Sequence, residues 1–434
     1  MSVPAHDDAR RLLRETRGQD LGLVLTGGGA RGAYQVGVLS WIADHHPELY
    51  LPIITGVSAG AVNAAHLAAH HGTFAQSVAE LRGLWSELTV DQVFRVDTGT
   101  LALSVGRWAL RLLSGGRFRG RQVRSLLDTT PLRRYLEEVY AALDGELTGV
   151  EYNLRRGFVR AAAITTTNYS TGQSAVWVQG RQIEAWTRPM RRSVQTRLRV
   201  EHVMASTALP FFFPAIRIGP HWHGDGGIRQ TAPISPALHL GARRVLAIST
   251  RYGTTQEEGD RTKIAGYPPP AQVAGVLLNS IFLDMIDQDE LRLSRLNRLL
   301  LLLDAEQRDG LHPISLLVMR PSQDLATIAG EYEPDLPKAF RFLMRGLGTR
   351  ETVSPDVLSM LMFQPEYLRH LMRLGREDAE SRGDELHAFI EQAATGADVE
   401  VEVRRQEAAK SAAEIEMKPE QESAAARDHH AGPA

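Results

Sequence analysis

The sequence predicts an α/β protein with a mainly parallel central sheet covered by helices on both faces and a largely helical C-terminal segment. Up to residue 249, short apolar runs alternate with helical patterns, which is the order of a parallel sheet. Two of these runs end in glycine-rich turns. With 434 residues and 43% hydrophobic content, the chain can bury one large core or two modest ones.

The predicted strands and helices follow from the pattern of apolar residues. Buried strands are expected over 21–25, 51–54, 160–166, 245–249 and 314–319. Helices are expected over 33–43, 59–69, 271–298 and most of 335–394. These elements divide the chain into an N-terminal arm (1–20), a main domain (21–235), a mostly helical extension on the same core (236–396) and a charged tail (397–434). The tail has no aromatic residue and is expected to be disordered or a frayed helix.

The first predicted strand ends in a glycine-rich loop. It consists of Gly27, Gly28, Gly29, Ala30, Arg31 and Gly32. Backbone N–H groups in a strand–glycine–helix turn can converge on an anion, so the loop is a candidate oxyanion site. Arg31 either assists that anion or braces the loop through a salt bridge. No Gly-Lys-Ser/Thr follows, which excludes a P-loop.

The second predicted strand ends in a serine turn. Its residues are Gly56, Val57, Ser58, Ala59 and Gly60. A sharp turn from strand to helix exposes the serine hydroxyl, and glycines two residues to either side remove side chains that would clash. The helix N-terminus also directs positive charge at the site. Ser58 is therefore the candidate nucleophile.

Asp225 is the candidate base for this serine. It precedes Gly226 and Gly227, and the flanking glycines allow its backbone to approach another element closely. An ordinary Asp-Gly turn is the alternative interpretation. A triad would need a histidine after Asp225, and the nearest, His239, has the pattern of a covered helix residue.

Other histidines have simpler interpretations than metal binding. His66 and His70 lie four residues apart on a predicted helix, and without a third ligand we expect a solvated helix face. His221 and His223 alternate on one side of a strand, where they are expected to frame the aspartate turn. No metal and no cofactor is predicted.

Together the motifs resemble the patatin-like phospholipase family. The glycine loop with Arg31, the serine turn and Asp225-Gly226-Gly227 occur in that family's order, and 205–210 and 213–215 resemble the segment that precedes its aspartate. Gly227 stands where the family often has alanine. The resemblance covers residues 21–235.

The resemblance implies a patatin-like fold and a Ser58–Asp225 dyad without histidine. Asp225 would take the Ser58 proton, the serine would attack a fatty-acyl ester of a phospholipid or related lipid, and water would release the fatty acid. The amides of Gly28 and Gly29, with Arg31 nearby, would stabilise the oxyanion. The dyad requires no metal and no calcium.

Composition and charge narrow the partners and the compartment. The chain has no cysteine and a net charge of -2, which gives no general attraction to nucleic acid. The first 20 residues lack an apolar core and no apolar run reaches bilayer length, so no signal peptide or membrane span is predicted and a cytoplasmic location is expected. The sequence does not indicate an oligomeric state.

Two arginine clusters favour a peripheral contact with anionic lipid, although a packed amphipathic helix with solvated arginines explains the first equally well. The first comprises Arg107, Arg111, Arg117, Arg119, Arg121 and Arg124. The second comprises Arg181, Arg188, Arg191, Arg192, Arg197 and Arg199, and it precedes the run Phe211–Phe213.

Two other classes of protein fit parts of the sequence. A catalytically silent lipid-binding protein could keep this fold, but it would have no need of both Ser58 and Asp225. A dinucleotide-binding oxidoreductase would use Gly27, Gly29 and Gly32 as G-x-G-x-x-G. Its second strand should end near an acidic residue, whereas here it ends at the serine turn.

Overall fold

The computed structural model describes residues 20–95, 106, 113, 125–230, 232–253, 273, 276, 285–346 and 356–411. Within these ranges the strands form one sheet with the order β10-β9-β1-β2-β3-β4-β6-β5. In addition, β8 pairs with β3, and β7 pairs with β8. The strands are β1 (Leu21–Leu25), β2 (Ile53–Val57), β3 (Ala161–Asn168), β4 (Ser174–Gly180), β5 (Thr187–Arg188), β6 (Arg191–Gln195), β7 (Ile216–Ile218), β8 (His221–Asp225), β9 (Arg244–Ile248) and β10 (Ser315–Met319).

The predicted α/β fold with a mainly parallel sheet is confirmed. The run β10-β9-β1-β2-β3 is parallel throughout. β4 returns antiparallel to β3, β6 runs parallel to β4, and β5 is antiparallel to β6. Because these five strands are parallel, the loops that follow them lie along one edge of the sheet. Binding and catalytic sites of such sheets usually lie at that edge.

Helices surround the sheet in the described residues. They are α1 (Gly32–His45), α2 (Ala59–Ala69), α3 (Phe74–Glu87), α4 (Val90–Val93), α5 (Thr130–Val139), α6 (Thr148–Arg156), α7 (Val200–Ser206), α8 (Ser235–His239), α9 (Met285–Leu301), α10 (Leu325–Glu331), α11 (Lys338–Gly346), α12 (Asp356–Leu361), α13 (Pro365–Ser381), α14 (Gly383–Thr395) and α15 (399–411). None of them is long and apolar enough to cross a membrane.

Both faces of the sheet are covered, which explains why β1 has no polar side chain at any position. Leu21, Leu23 and Leu25 of β1 belong to the larger core cluster, whereas Val24 belongs to a second cluster on the other face. Successive residues of a strand point to opposite faces, so a strand buried on both sides cannot show polar alternation.

The C-terminal helices share the main core. Helix α13 crosses α1 so closely that a Cβ on Gly37 would lie 2.0 Å from the carbonyl oxygen of Met372, and one on Gly375 would lie 2.2 Å from that of Tyr34. Close backbone contact of this kind requires glycine at the crossing point. The helices after β10 are thus packed on the same core as β1 and α1.

The tail beginning at residue 397 differs from the expectation, because residues 399–411 form the helix α15. Val403 is fully buried, and the Glu402 carboxylate accepts a 2.9 Å hydrogen bond from Arg244 Nε at the start of β9. Composition alone suggested disorder, but the buried partner lies more than 150 residues away in sequence. The first arginine cluster, Arg107 to Arg124, lies outside the described residues.

Candidate active site

Ser58 occupies a strained turn between β2 and α2. Its backbone angles are φ 53° and ψ −127°, a conformation that residues with a side chain rarely adopt. A Cβ on Gly56 would lie 2.3 Å from the carbonyl oxygen of Gly60, and one on Gly60 would lie 2.2 Å from that of Leu25. The absence of a side chain at Gly56 therefore lets the turn close on itself, and its absence at Gly60 lets α2 pack against β1.

Ser206 holds the turn from the other side, a role that the motif analysis did not assign. Its hydroxyl accepts a 2.9 Å hydrogen bond from the Ser58 backbone N–H and donates one of 2.7 Å to the carbonyl oxygen of Thr165. Ser206 is fully buried at the end of α7. The only signal in the sequence was its place in the segment before the aspartate.

The sheet itself brings Asp225 next to Ser58. Strand β2 ends at Val57, which pairs with Thr165 of β3, and β8 continues along the same edge with Asp225 paired to Thr166. A Cβ on Gly226 would lie 2.7 Å from Val57 Cγ2, so the aspartate turn rests directly against the end of β2. The predicted serine and aspartate turns are therefore adjacent.

The Asp225 carboxylate is fully buried and only partly satisfied. Oδ1 accepts a 2.8 Å hydrogen bond from the Gly227 amide, while Oδ2 has no hydrogen-bond partner in the described part of the chain. Thr167 donates from its hydroxyl to the Asp225 carbonyl oxygen at 2.8 Å and fixes the backbone. One carboxylate oxygen thus remains available to receive a proton.

Burial raises the pKa of Asp225 to about 7, and the Gly227 amide and the Ser58 hydroxyl offset part of that rise. The Ser58 hydroxyl is near enough to affect this pKa, although its geometry does not meet the limits of a hydrogen bond to Oδ2. Such contacts often tighten only when substrate binds. A carboxylate with a pKa near neutrality is suited to act as a general base.

The glycine loop lies beside the serine. Gly28 and Gly29 have φ angles of 149° and 59°, and a Cβ on Gly27 would lie 3.0 Å from Ser58 Cβ. Gly29–Arg31 form a single 3-10 turn that leads into α1. In the described residues neither the Gly28 nor the Gly29 amide donates a hydrogen bond. Thr250, two residues after β9, anchors the loop by donating to the Gly27 carbonyl oxygen.

The Arg31 side chain is held by residues of α12. It is 3% exposed, and its Nη2 lies 2.7 Å from Asp356 Oδ1, which corresponds to the bracing interpretation of this residue. Nε also donates to Ser359 Oγ at 2.7 Å. Sequence reasoning did not identify Asp356 and Ser359, because nothing local marks two residues more than 320 positions away.

A buried polar chain connects the loop, the serine helix and the cavity wall. Gln35 donates from Nε2 to the carbonyl oxygens of Thr26 and Ile248, and it accepts from Asn63 Nδ2 at 2.9 Å. Asn63 Oδ1 in turn accepts from Trp85 Nε1 at 2.8 Å. Because every member is satisfied, the chain fixes β1, α1 and α2 relative to each other.

A cavity of about 870 Å³, its open mouth included, begins at Ser58. Its wall includes Gly28 and Gly29, and its floor follows one face of α2 through Ala59, Val62 and His66. The remaining wall is largely aliphatic and aromatic and comes from α3, α4, α5, the segment after α7, and α12.

The polar groups in the cavity wall are directed into the protein. The Trp85 indole, the Tyr135 and Tyr140 hydroxyls and the His66 imidazole each bond to a protein oxygen at 2.8–3.3 Å. What these side chains present to the cavity is therefore mainly carbon. The cavity suits an apolar chain whose one polar end lies at Ser58.

The expectation for His66 was wrong. Its side chain is 3% exposed and lines the cavity, and burial lowers its pKa to about 4, so the imidazole is neutral. His70, one turn later, lies near the surface and contacts Glu80. His239 stacks on Trp186 with ring centroids 4.3 Å apart, as a covered helix residue would.

His223 is buried on β8, two residues before the aspartate. Its Nδ1 lies 3.0 Å from the hydroxyl of Thr166, the β3 residue that pairs with Asp225. Among the described residues, no group of three His, Cys, Asp or Glu side chains could hold a metal ion. His223 therefore contributes to the packing beneath the aspartate turn.

Fold and site define an α/β protein with a serine at a strand–turn–helix junction, a buried aspartate and an apolar cavity. The chain belongs, through residues 23–238, to the patatin-like phospholipase family. A search of curated proteins found no match.

Similar solved structures include human GIVD cytosolic phospholipase A2, at 12% identity and TM-score 0.43, covering 91% of this chain and 65% of that one. Another is VipD from Legionella pneumophila, at 14% identity and TM-score 0.32, covering 81% of this chain and 67% of that one. The chain thus spans about two thirds of these proteins' length.

Proposed function

We propose that this protein is a serine acyl hydrolase that cleaves fatty-acyl esters of phospholipids or related lipids. The observation that carries the proposal is the strained Ser58 at the wall of an apolar cavity, adjacent to a buried Asp225 whose Oδ2 has no partner among the described residues. A strained backbone at a nucleophile and a carboxylate with a raised pKa are both costly, and such features occur mainly at functional sites.

In the proposed reaction, the Ser58 Oγ–H transfers its proton to Asp225 Oδ2 as the oxygen attacks the ester carbonyl carbon. The carbonyl oxygen becomes an oxyanion that accepts hydrogen bonds from the Gly28 and Gly29 amides. One such donor commonly contributes about 3 kcal/mol to lowering the barrier. The intermediate collapses, the alcohol leaves with the proton from Asp225, and the acyl group remains on Ser58.

Deacylation repeats the same steps with water. Asp225 accepts a proton from water as the water oxygen attacks the acyl-enzyme, and the fatty acid leaves while Ser58 recovers its hydrogen. The apolar cavity would hold the acyl chain during both steps, because apolar surface removed from water contributes about 25 cal/mol per Å². No cofactor enters this sequence.

The test is release of fatty acid from phospholipid, lysophospholipid and neutral-lipid substrates by the native chain and by Ser58→Ala. Release by the native chain alone supports the proposal and identifies the substrate class. If lipid binds but neither chain releases fatty acid, a silent lipid-binding protein is the better account.

We also propose peripheral contact with anionic lipid. In the second arginine cluster, Arg181, Arg188 and Arg192 are exposed, whereas Arg197 and Arg199 are paired with Glu146. Exposed arginines attract anionic headgroups with a strength that salt screens. Sedimentation with anionic and with neutral vesicles tests this: pelleting only with anionic vesicles supports it, and equal pelleting with both contradicts it.

A further inference from the structure

The oxyanion loop is held by a short segment that lies far beyond the family-matched residues. Helix α12 and the residues that follow it, here called the clamp segment (356–363), contact the loop through Arg31. The Arg31 guanidinium donates to Asp356 Oδ1 at 2.7 Å and to Ser359 Oγ at 2.7 Å. These side chains satisfy a buried charge that would otherwise be costly.

Backbone contact reinforces the side-chain contact. A Cβ on Gly29 would lie 2.1 Å from the carbonyl oxygen of Met360, so α12 rests directly on the turn of the loop. The Ser359 hydroxyl donates to the Asp356 carbonyl oxygen at 2.8 Å and keeps the receiving groups in place. The Arg31 amide donates to the Gly28 carbonyl oxygen at 3.2 Å and links the clamped residue to the loop.

The same segment also completes the cavity. Met360, Leu361 and Phe363 line it, on the wall that includes Gly28 and Gly29. Phe363 packs edge-on against Phe94, with ring centroids 6.2 Å apart. One short segment therefore contacts both the proposed oxyanion donors and the proposed acyl site.

We propose that the clamp segment is part of the catalytic apparatus, with Asp356 and Ser359 as positioning residues that act through Arg31. This inference rests on the proposed acyl hydrolase function. The glycine loop has little rigidity of its own, since Gly28 and Gly29 have positive φ angles and no side chains to pack. The contacts to Arg31 hold one end of the glycine loop and so fix the direction of the Gly28 and Gly29 amides. Hydrogen-bond donors that are already oriented lower the barrier to ester hydrolysis, because they need no rearrangement in the transition state.

The test compares Asp356→Asn and Ser359→Ala with a matched control, Glu402→Gln. Glu402 also forms an ion pair with a buried arginine, Arg244, at 2.9 Å. Arg244 lies at the amino end of β9, and Ser58 lies at the opposite end of the parallel strands. Sites reactive with a fluorophosphonate are counted first. Then kcat and KM are measured per reactive site with a short soluble ester.

We expect Asp356→Asn and Ser359→Ala to lower kcat per reactive site by about tenfold while KM changes by less than about twofold, because only the transition state uses the oxyanion donors. Asp356→Glu should restore most of kcat. Glu402→Gln should lower the thermal midpoint and leave kcat per site within about twofold. Equal kcat in Asp356→Asn and the native chain would overturn the inference.

Hydrogen exchange of the loop peptide tests the clamp independently of activity. The amides of 26–32 should exchange faster in Asp356→Asn than in the native chain and should be unchanged in Glu402→Gln. Unchanged exchange in Asp356→Asn contradicts the clamp even if the chain hydrolyses no ester. The opposite result is also informative. If no serine reacts with the fluorophosphonate but the loop exchanges faster in Asp356→Asn, the proposed function is wrong, whereas the contact between the clamp segment and the loop is supported.

Discussion

The cavity along α2 predicts how the enzyme responds to acyl-chain length. Ser58, Ala59, Val62 and His66 lie on one face of the helix and all line the cavity. The axial rise from residue 58 to residue 66 is about 12 Å at 1.5 Å per residue. An extended chain advances about 1.2 Å per bond, since the three bonds of an extended residue span about 3.6 Å. About ten bonds of acyl chain therefore fit alongside α2.

The perturbation is Val62→Phe, which fills the cavity about 6 Å from the nucleophile and leaves room for about five bonds. Each methylene that can no longer be buried forfeits about 0.8 kcal/mol. Five methylenes forfeit about 4 kcal/mol, which corresponds to about a thousandfold in kcat/KM at 1.4 kcal/mol per factor of ten. Butyryl esters should be hydrolysed at nearly the native rate.

The assay measures kcat/KM for a series of soluble esters from four to fourteen carbons. In the native chain, kcat/KM should rise about fourfold per methylene up to about ten carbons and then level off. The butyryl ester acts as an internal control for folding, because a misfolded variant loses activity with every ester. A decanoyl-to-butyryl ratio in Val62→Phe equal to the native ratio would refute the reasoning.

Three further predictions concern charge and stability. Activity should fall as pH drops below about 7, because Asp225 must be ionised to accept the Ser58 proton; a rate unchanged between pH 8 and pH 5.5 would contradict this. Because its pKa is raised, Asp225 binds more protons in the native than in the unfolded state between about pH 4 and 7, so its own contribution to stability falls through that window by on the order of 4 kcal/mol. His66, whose pKa is lowered, contributes in the opposite direction. The difference in unfolding free energy between the native chain and Asp225→Asn isolates the Asp225 contribution, and it should fall between pH 4.5 and pH 8 in urea unfolding. Ser206→Ala should lower both unfolding free energy and kcat, since the Ser58 amide loses its only described partner; an effect under about 0.5 kcal/mol on unfolding would argue against that role.

Local sequence signals predicted the parts of the fold that depend on neighbouring residues. Strand 21–25 and helix 59–69 match the structure at both ends. The second strand lies at Ile53–Val57, shifted toward the serine turn, because the chain stays extended until Ser58 reverses it. Apolar runs and glycine turns are local features, so sequence alone locates them.

What sequence could not predict depends on contacts between distant residues. The adjacency of Ser58 and Asp225 arises because β8 continues the edge of β3 where β2 ends, a pairing that no local pattern encodes. The partner of Arg31 lies in α12. His66 was expected on a solvated helix face because no third metal ligand accompanies it, but it is buried and its Nε2 lies 3.0 Å from the carbonyl oxygen of Ser77 in α3. Long-range packing decides such cases.

The most direct test of the central claim is intact mass after exposure to a fluorophosphonate, for the native chain, Ser58→Ala and Asp225→Asn. The account predicts one adduct on the native chain, none on Ser58→Ala, and much slower labelling of Asp225→Asn, because the serine would then lack its base. Equal labelling of the native chain and Ser58→Ala, or no labelling of the native chain with lipid vesicles present, would contradict it.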